Sequence, residues 1–199
     1  MRVFLAGATG VIGVRLVPLL VSADHEVAGL TRSSEKVGSL QGLGAHPVVG
    51  DVFDSDWLTR EVLAFGPDVI VHQLTDLPDD VTEAAAHSWA NAMVRQQGTA
   101  NLLTAARAAG VSRMLVQSVA WPLGGGAGDA VSDMERAVLG FGGVVLRYGQ
   151  FYGPGTYHPD EPPPPPRVHI DEAARQTVDA LDADSGVILV TDSTRADVG

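Results

Sequence analysis

Three glycines near the N-terminus carry the spacing with the clearest chemical meaning in this sequence. They occupy positions 7, 10 and 13. An apolar run at 3–6 precedes them, and an apolar stretch at 11–21 begins just after Gly10. A buried parallel strand followed by a helix gives this pattern. Gly7 permits a sharp turn, Gly10 lets a pyrophosphate approach the backbone, and Gly13 lets the helix pack closely on the strand. Because the start of such a helix offers unpaired N–H groups to phosphates, the segment predicts a dinucleotide site. A tight turn without a ligand is the alternative interpretation.

The second strand-like stretch ends at Arg32, the position at which a dinucleotide site selects its cofactor. An Asp or Glu about 20 residues beyond the glycines would bind the ribose 2′-hydroxyl and select NAD. Arg32 instead offers a guanidinium to a 2′-phosphate, and Thr31, Ser33 and Ser34 add hydroxyl donors. The sequence therefore favours NADP, and a surface arginine that stacks on the adenine of NAD is the alternative.

Further segments continue this pattern in order along the chain: 50–52, 67–72, Asn91, 98–111, Arg147, 151–155 and 168–171. Together with the loop G-A-T-G-V-I-G at 7–13, they resemble the short-chain dehydrogenase/reductase superfamily. The resemblance is to its atypical or extended, NAD-dependent epimerase/dehydratase-like branch, and it covers roughly residues 1 to 190. It implies that Asp51 contacts the adenine of the cofactor.

The loop chemistry and the resemblance together give a set of candidate cofactor contacts. These are Gly7, Thr9, Gly10, Val11, Ile12, Gly13, Thr31, Arg32, Asp51, Val52, Leu74, Thr75 and Gln117.

The sequence departs from this superfamily at the catalytic pair. Its members use Tyr-x-x-x-Lys, in which the lysine lowers the pKa of the tyrosine so that the phenol passes a proton near neutral pH. This chain has a single lysine, Lys36, in the second βα unit. Counted back from Glu135, the tyrosine and lysine positions fall at about Ala127 and Val131. We therefore expect the pair to be absent.

Ser118, Tyr148 and Tyr152 are the candidate catalytic residues that remain. Ser118 ends the fifth strand, where the resemblance places a Ser or Thr beside the nicotinamide; a hydroxyl that caps the strand is the alternative. The two tyrosines follow or end the sixth strand, and an aromatic wall is their alternative role. Asp76 or His87 could also reach a substrate from a loop.

Apolar β-type and amphipathic α-type patterns alternate along the chain. This alternation predicts an α/β fold with a single Rossmann-type, doubly wound parallel sheet of order 3-2-1-4-5-6, flanked by helices. The expected strands are 2–6, 26–30, 46–49, 68–72, 112–117, 143–148 and 186–190, and the expected helices are 11–22, 34–42, 56–64, 81–109, 130–140 and 171–181.

We expect residues 1–199 to form one NAD(P)-binding Rossmann domain. Extended members of the superfamily carry a larger C-terminal substrate domain, so the resemblance implies that about 150–199 is a reduced segment covering the substrate side. Glycines 124–126 predict a flexible loop, and the proline run at 161–166 predicts a stiff polyproline II connector.

Composition excludes several classes of function. The chain has no cysteine and no metal-ligand spacing, so neither a disulfide nor a metal is assigned. A net charge of −11 argues against nucleic acid as a partner. No apolar stretch reaches the ~18 residues that span a bilayer, so we expect no membrane segment and a cytoplasmic location. The sequence is compatible with a homodimer and does not fix the oligomeric state.

Two classes of function remain. The first is an NAD(P)-dependent oxidoreductase or epimerase-like enzyme that acts on a small carbonyl or hydroxyl compound by hydride transfer, with a non-standard proton donor. The second is an NADP-binding regulatory or scaffold protein without redox activity. An apolar pocket with few polar groups suits a small organic substrate, so the aromatic residues expected at the mouth favour the enzyme: Trp121, Tyr148, Phe151, Tyr152 and Tyr157.

Overall fold

The computed structural model describes residues 1–78, 80–83 and 85–192. Its strands are Arg2–Ala6 (β1), Glu26–Thr31 (β2), His46–Val49 (β3), Val69–His72 (β4), Arg113–Val119 (β5), Val144–Tyr148 (β6), Gln150–Tyr152 (β7), Arg167–His169 (β8) and Gly186–Val190 (β9). Its α-helices are Gly13–Ser22 (α1), Val37–Gly42 (α2), Ser55–Phe65 (α3), Ser88–Met93 (α4), Thr99–Ala108 (α5), Gly125–Phe141 (α6) and Ile170–Asp179 (α7). A π-helical segment, Val94–Gly98, joins α4 to α5, and short 3₁₀ turns occupy Ser34–Lys36, Val81–Glu83 and Ala180–Asp182.

Seven parallel strands form the main sheet, in the order β3-β2-β1-β4-β5-β6-β9. The predicted doubly wound α/β fold and the order 3-2-1-4-5-6 are confirmed, and β9 extends the sheet beyond β6. Strands β1 and β4 are adjacent, and the chain leaves them towards opposite edges of the sheet. Ligands bind outside the carboxyl ends of the strands at such a switch point.

Helices cover both faces of this sheet, which explains why the central strands are continuous apolar runs. One face packs against α1 and α7, with Leu16 and Ile170 in its core. The other packs against α3, α5 and α6, with Leu58 and Met134 in its core. The carboxyl ends of the strands stay uncovered by this packing, so they are open to a ligand.

Two local features differ from the sequence prediction. The flexible loop predicted at 124–126 is wrong, because Gly125 and Gly126 begin α6, which the sequence pattern started only at residue 130. Gly125 has φ +58°, a conformation that favours glycine, whereas close packing applies only to Gly128, where a Cβ would lie 2.2 Å from the carbonyl oxygen of Leu123. The second difference from the prediction is a small parallel sheet formed by β7 and β8. Each of these strands is three residues long, and neither had a strand signal in the sequence.

Candidate functional site

A cleft of about 780 Å³ opens at the carboxyl ends of the strands. Its floor is the turn between β1 and α1, and its walls come from the ends of β2, β4, β5 and β6. Every predicted cofactor contact except Gly13 lines it. Lys36 lines the cleft too, beside Arg32 in the second βα unit. The structure thus brings the predicted cofactor residues together, and their contacts with a cofactor stay a prediction.

The glycine loop has the geometry that a phosphate site needs. Gly7 has φ +95°, and a Cβ there would lie 2.7 Å from the backbone carbonyl of Gln73. A Cβ on Gly13 would lie 2.1 Å from the oxygen of Gly7, so this glycine allows helix α1 to pack against the turn. Gly10 faces open space, with only the oxygen of Gly7 as near as 3.4 Å. The bare backbone at Gly10 leaves room for a pyrophosphate.

Arg32 lies at the rim of the cleft, tethered to the loop that follows β4. Its Nη2 donates to Oδ1 of Asp76 at 3.1 Å, and Nδ1 of His87 lies 3.1 Å from the other carboxylate oxygen. The hydrogen bond with His87, together with Arg32, holds the pKa of Asp76 below its usual value. Asp76 is therefore an anion with two partners. The side chain of Arg32 is 62% exposed, which leaves most of its donors accessible to a ligand.

Ser118 is fully buried, and its hydroxyl is engaged on the α6 side of the sheet. Oγ donates to Oε1 of Glu135 at 2.5 Å. Arg147 donates to both oxygens of the same carboxylate, at 3.0 and 2.6 Å. Burial alone would raise the pKa of Glu135, but the hydrogen bonds from Arg147 and Ser118 outweigh it and lower the pKa. The single proton of Ser118 is thus committed to an ionised carboxylate.

Tyr148 is also committed, because its hydroxyl stands in the middle of a buried chain of hydrogen bonds. Nε2 of Gln73 donates to it at 3.0 Å, and it lies 2.6 Å from Oγ1 of Thr177. Since Thr177 donates its own proton to the carbonyl of Ala173, the proton of Tyr148 goes to Thr177. Burial also raises the pKa of Tyr148. Its ring lines the cleft, but its proton points into the core.

Tyr152 lies away from the cleft, on β7. It is not among the cleft-lining residues of the described chain, and its hydroxyl donates to Oδ2 of Asp192 at 3.0 Å. Ser118 and Tyr148 both line the cleft and Tyr152 does not, so the structure does not bring all three candidate catalytic residues together. Their catalytic roles stay predictions, which these hydrogen bonds do not favour.

Two cleft residues, Arg95 and Gln73, were missed by the sequence reasoning. Arg95 is 6% exposed and Gln73 is 4% exposed, and both line the cleft. The sequence held one signal for the first, because Arg95 is the only Asp, Glu, Lys or Arg between Glu83 and Arg107. Nothing in the sequence distinguishes Gln73.

Aromatic and apolar side chains line the outer part of the cleft. Trp121, Phe151 and Tyr157 are among them, as the sequence predicted. Tyr157 also donates to the carbonyl of Pro78, which links the C-terminal segment to the loop after β4. The C-terminal segment therefore contributes one wall of the cleft.

Neither a metal centre nor a membrane anchor is visible in the described ranges. No group of three or more His, Asp or Glu side chains there is arranged to hold a metal ion. No helix within the same ranges combines the length and apolarity needed to cross a bilayer.

A doubly wound sheet with a bare glycine loop at its switch point defines a Rossmann protein of the dinucleotide-binding class. Comparison with known proteins specifies the family. The chain belongs to the NAD dependent epimerase/dehydratase family, whose model matches residues 3–128. Family membership and the relatives below support an NAD(P)-dependent oxidoreductase or epimerase.

The curated relatives include reductases. The chain is 35% identical to a 3-diazoavenalumate denitrifying reductase from a Streptomyces species, over 98% of this chain and 77% of that protein. That match spans 242 aligned positions, more than the 199 residues of this chain, so the relative has additional residues within the matched region. A 4-hydroxy-2-methyl-3-oxo-4-farnesyl-3,4-dihydroquinoline-1-oxide ketoreductase from Stigmatella aurantiaca is 36% identical over 58% of this chain and 32% of its own length.

Solved structures support the fold. The UDP-glucose 4-epimerase of Thermus thermophilus, in complex with NAD, superposes with a TM-score of 0.79 at 20% identity, over 96% of this chain and 78% of that chain. The Bordetella bronchiseptica enzyme WbmH, in complex with NAD⁺, gives 0.77 at 18% identity, over 97% and 76%.

Proposed function

We propose that this chain binds a nicotinamide dinucleotide in the cleft and reduces or oxidises a small carbonyl or hydroxyl compound. The observation that carries the proposal is the glycine loop, where the backbone of Gly10 faces open space at the switch point of the sheet. The fit is good, because the predicted adenosine contacts line the β1–β3 half of the same cleft and the apolar wall lines the other half. When bound, the cofactor supplies or accepts a hydride at the nicotinamide.

The chain's own residues would bind and orient the two ligands. The loop at Gly7–Gly13 would hold the pyrophosphate, and Asp51 would contact the adenine side. Trp121, Phe151 and Tyr157 would pack against the substrate and exclude water from its reacting carbon. In this proposal, the segment from residue 150 onward is the reduced cover of the substrate side.

The group that donates the proton to the reacting oxygen is the remaining question of this proposal. The protons of Ser118 and Tyr148 are committed to Glu135 and Thr177, so neither side chain offers a free proton to a reacting oxygen. We propose that a water in the cleft supplies the proton in reduction and accepts it in oxidation, and that Ser118 has a structural role through its hydrogen bond to Glu135.

These same hydrogen bonds favour the second candidate function, an NADP-binding protein without redox activity. Deuteride transfer separates the two candidates. We expect 4-deuterated NADPH to transfer deuterium to a member of a panel of small aryl aldehydes and ketones, with and without a carboxylate, in the presence of the protein, as measured by mass spectrometry of the product. Tight NADPH binding without transfer to any carbonyl compound of such a panel would favour the regulatory or scaffold role.

The structural relatives are solved with NAD, whereas Arg32 favours NADP in this chain. We predict that NADPH binds more tightly than NADH, and that Arg32→Asp reverses the order, because a carboxylate repels the 2′-phosphate and accepts from the 2′-hydroxyl. Titration of each cofactor by its fluorescence measures both affinities. Arg60→Asp, the same charge change at an exposed site on α3, should leave the order unchanged. Equal affinities in the wild-type protein would contradict the NADP assignment.

The cytoplasmic location and the homodimer also stay predictions.

A further inference from the structure

Arg95 is a buried cation without a hydrogen-bond partner among the described residues. It lies in the π-helical segment Val94–Gly98, its residue is 6% exposed, and it lines the cleft. Within the described ranges, the only side-chain polar atom that is sealed from solvent without a hydrogen bond is Oε1 of Gln73. The unpaired nitrogens of Arg95 therefore reach the space of the cleft.

The neighbours of Arg95 do not neutralise it by direct contact. Glu135 attracts it through space, but that carboxylate is already bonded to Arg147 and Ser118. His72 is neutral, because burial and the charge of Arg95 lower its pKa to about 3. Taking a guanidinium out of water costs free energy unless an anion or several acceptors pair with it. The fold places this unpaired, destabilising guanidinium at the wall of the cleft.

We propose that Arg95 binds a carboxylate of the substrate, and that the substrate is an aromatic carbonyl or hydroxyl compound that carries this carboxylate. This inference rests on the proposed function, since it names the substrate class of the same cleft. A planar guanidinium matches a carboxylate with two parallel hydrogen bonds. The aromatic wall formed by Trp121, Phe151 and Tyr157 suits a flat apolar body attached to that carboxylate.

The phosphate site of the cofactor is near this anion site. β1, which leads into the glycine loop, pairs with β4, and His72 at the end of β4 is an electrostatic neighbour of Arg95. Glu135, the other such neighbour, lies on α6. A phosphate of the cofactor is the competing anion, so the test must measure cofactor affinity and substrate-site affinity separately.

Cinnamate and cinnamamide are suitable probes, because they share one shape and differ in charge. Isothermal titration of the NADPH-loaded wild-type protein should show cinnamate binding about tenfold or more tightly than cinnamamide. Arg95→Met should remove this difference and leave the NADPH affinity unchanged. Arg95→Lys should keep part of the difference, and Arg60→Met, which removes an exposed charge on α3, should keep all of it.

Stability measurements separate a binding role from a structural one. Because Arg95→Met removes a buried unpaired cation, its denaturant midpoint should equal or exceed that of the wild-type protein. Equal affinity of the wild-type protein for the two probes, or binding of neither, would overturn the inference. A tenfold weaker NADPH affinity in Arg95→Met would also overturn it, by assigning the guanidinium to the cofactor. NADPH is titrated by itself, and the probes are also titrated without cofactor. Absence of NADPH binding, which is the failure of the proposed function, is therefore seen separately from a failure of the carboxylate site.

Discussion

Burial fixes the protonation and tautomer of the polar groups at the strand ends. His72 shows this most clearly, because both ring nitrogens have defined partners. The backbone N–H of Leu74 donates to Nδ1 at 3.2 Å, so the ring carries its proton on Nε2 and donates to Oγ1 of Thr99 at 3.1 Å. His72 is therefore a neutral structural residue, although it stands next to the cleft.

This neutral histidine should make the protein sensitive to acid. Burial, with Arg95, lowers the pKa of His72 from 6.5 to about 3, so only the unfolded chain binds this proton between those values. As the pH falls through that window, the free energy of unfolding should decrease by up to about 1.4 kcal/mol per pH unit from this group. Urea unfolding of wild type and His72→Asn between about pH 6 and about pH 4 measures it, and the variant should show the shallower slope.

A matched control is His46→Asn, since the His46 side chain is 68% exposed. This variant makes the same His-to-Asn change at the surface, so an effect of His72→Asn beyond that of the control belongs to the buried site. Identical slopes for wild type and His72→Asn would show that His72 takes up its proton in the folded state.

At this scale, sequence reasoning located the residues whose position follows from backbone geometry. It failed for residues whose role depends on a hydrogen-bond partner from another part of the chain. The turn at Gly7 and the bare backbone at Gly10 could be predicted because a strand and the turn after it are local in sequence, and their binding of phosphate stays a prediction. Ser118 was placed correctly at the end of a strand, but its hydrogen bond goes to a carboxylate on a helix that follows it. Arg95 could not be recognised as unpaired, because pairing depends on side chains far along the chain.

At the scale of elements, one carboxylate connects three of them beside the cleft. Glu135 on α6 accepts from Ser118 on β5 and from Arg147 on β6. Only residues 120–124 link β5 to α6, so this short link and the shared carboxylate fix the helix against the strand ends. The arrangement gives Ser118 a structural task that its position in sequence did not reveal.

Ser118→Ala should therefore lower stability more than cofactor affinity. Removing a buried donor to a carboxylate costs on the order of 2 kcal/mol. We expect that loss in denaturant unfolding, with an unchanged NADPH affinity. Ser132→Ala, an exposed serine on α6, should change stability by less than about 0.5 kcal/mol. Unchanged stability combined with a loss of about 100-fold in turnover would instead support the catalytic role predicted from sequence.

Elements with a strong periodic pattern were predicted well. The inner strands β1, β2, β4, β5 and β6 are mostly buried, and their apolar runs are visible in the sequence, whereas the edge strands β3 and β9 are partly exposed. The helical region predicted at 81–109 is divided into α4, the π-helical segment and α5. The start of α6 and the pair β7 and β8 were missed, because glycine content and three-residue strands carry no periodic signal. Packing against the rest of the fold decides these elements.

At the scale of the whole molecule, cofactor binding should stabilise the fold by mass action. A ligand that binds only the folded state, at a hundredfold excess over its Kd, adds about 2.7 kcal/mol to the free energy of unfolding. Thermal unfolding with increasing NADPH should therefore show a rising midpoint. Gly10→Val should show no such rise, since its side chain fills the space left for the pyrophosphate. A midpoint independent of NADPH in the wild-type protein would argue against a dinucleotide site.

Arg15 connects the two halves of the cleft. This residue of α1 donates to the carbonyl of Val11 at 2.7 Å, to the carbonyl of Pro154 at 2.5 Å, and to Oδ1 of Asp171 at 2.8 Å. One guanidinium thus fastens the glycine loop to the segment that lines the substrate side. We expect that, through this connection, a ligand that orders one half also orders the other. Thermodynamic reciprocity then requires cofactor and substrate to raise each other's affinity by the same factor, whichever binds first.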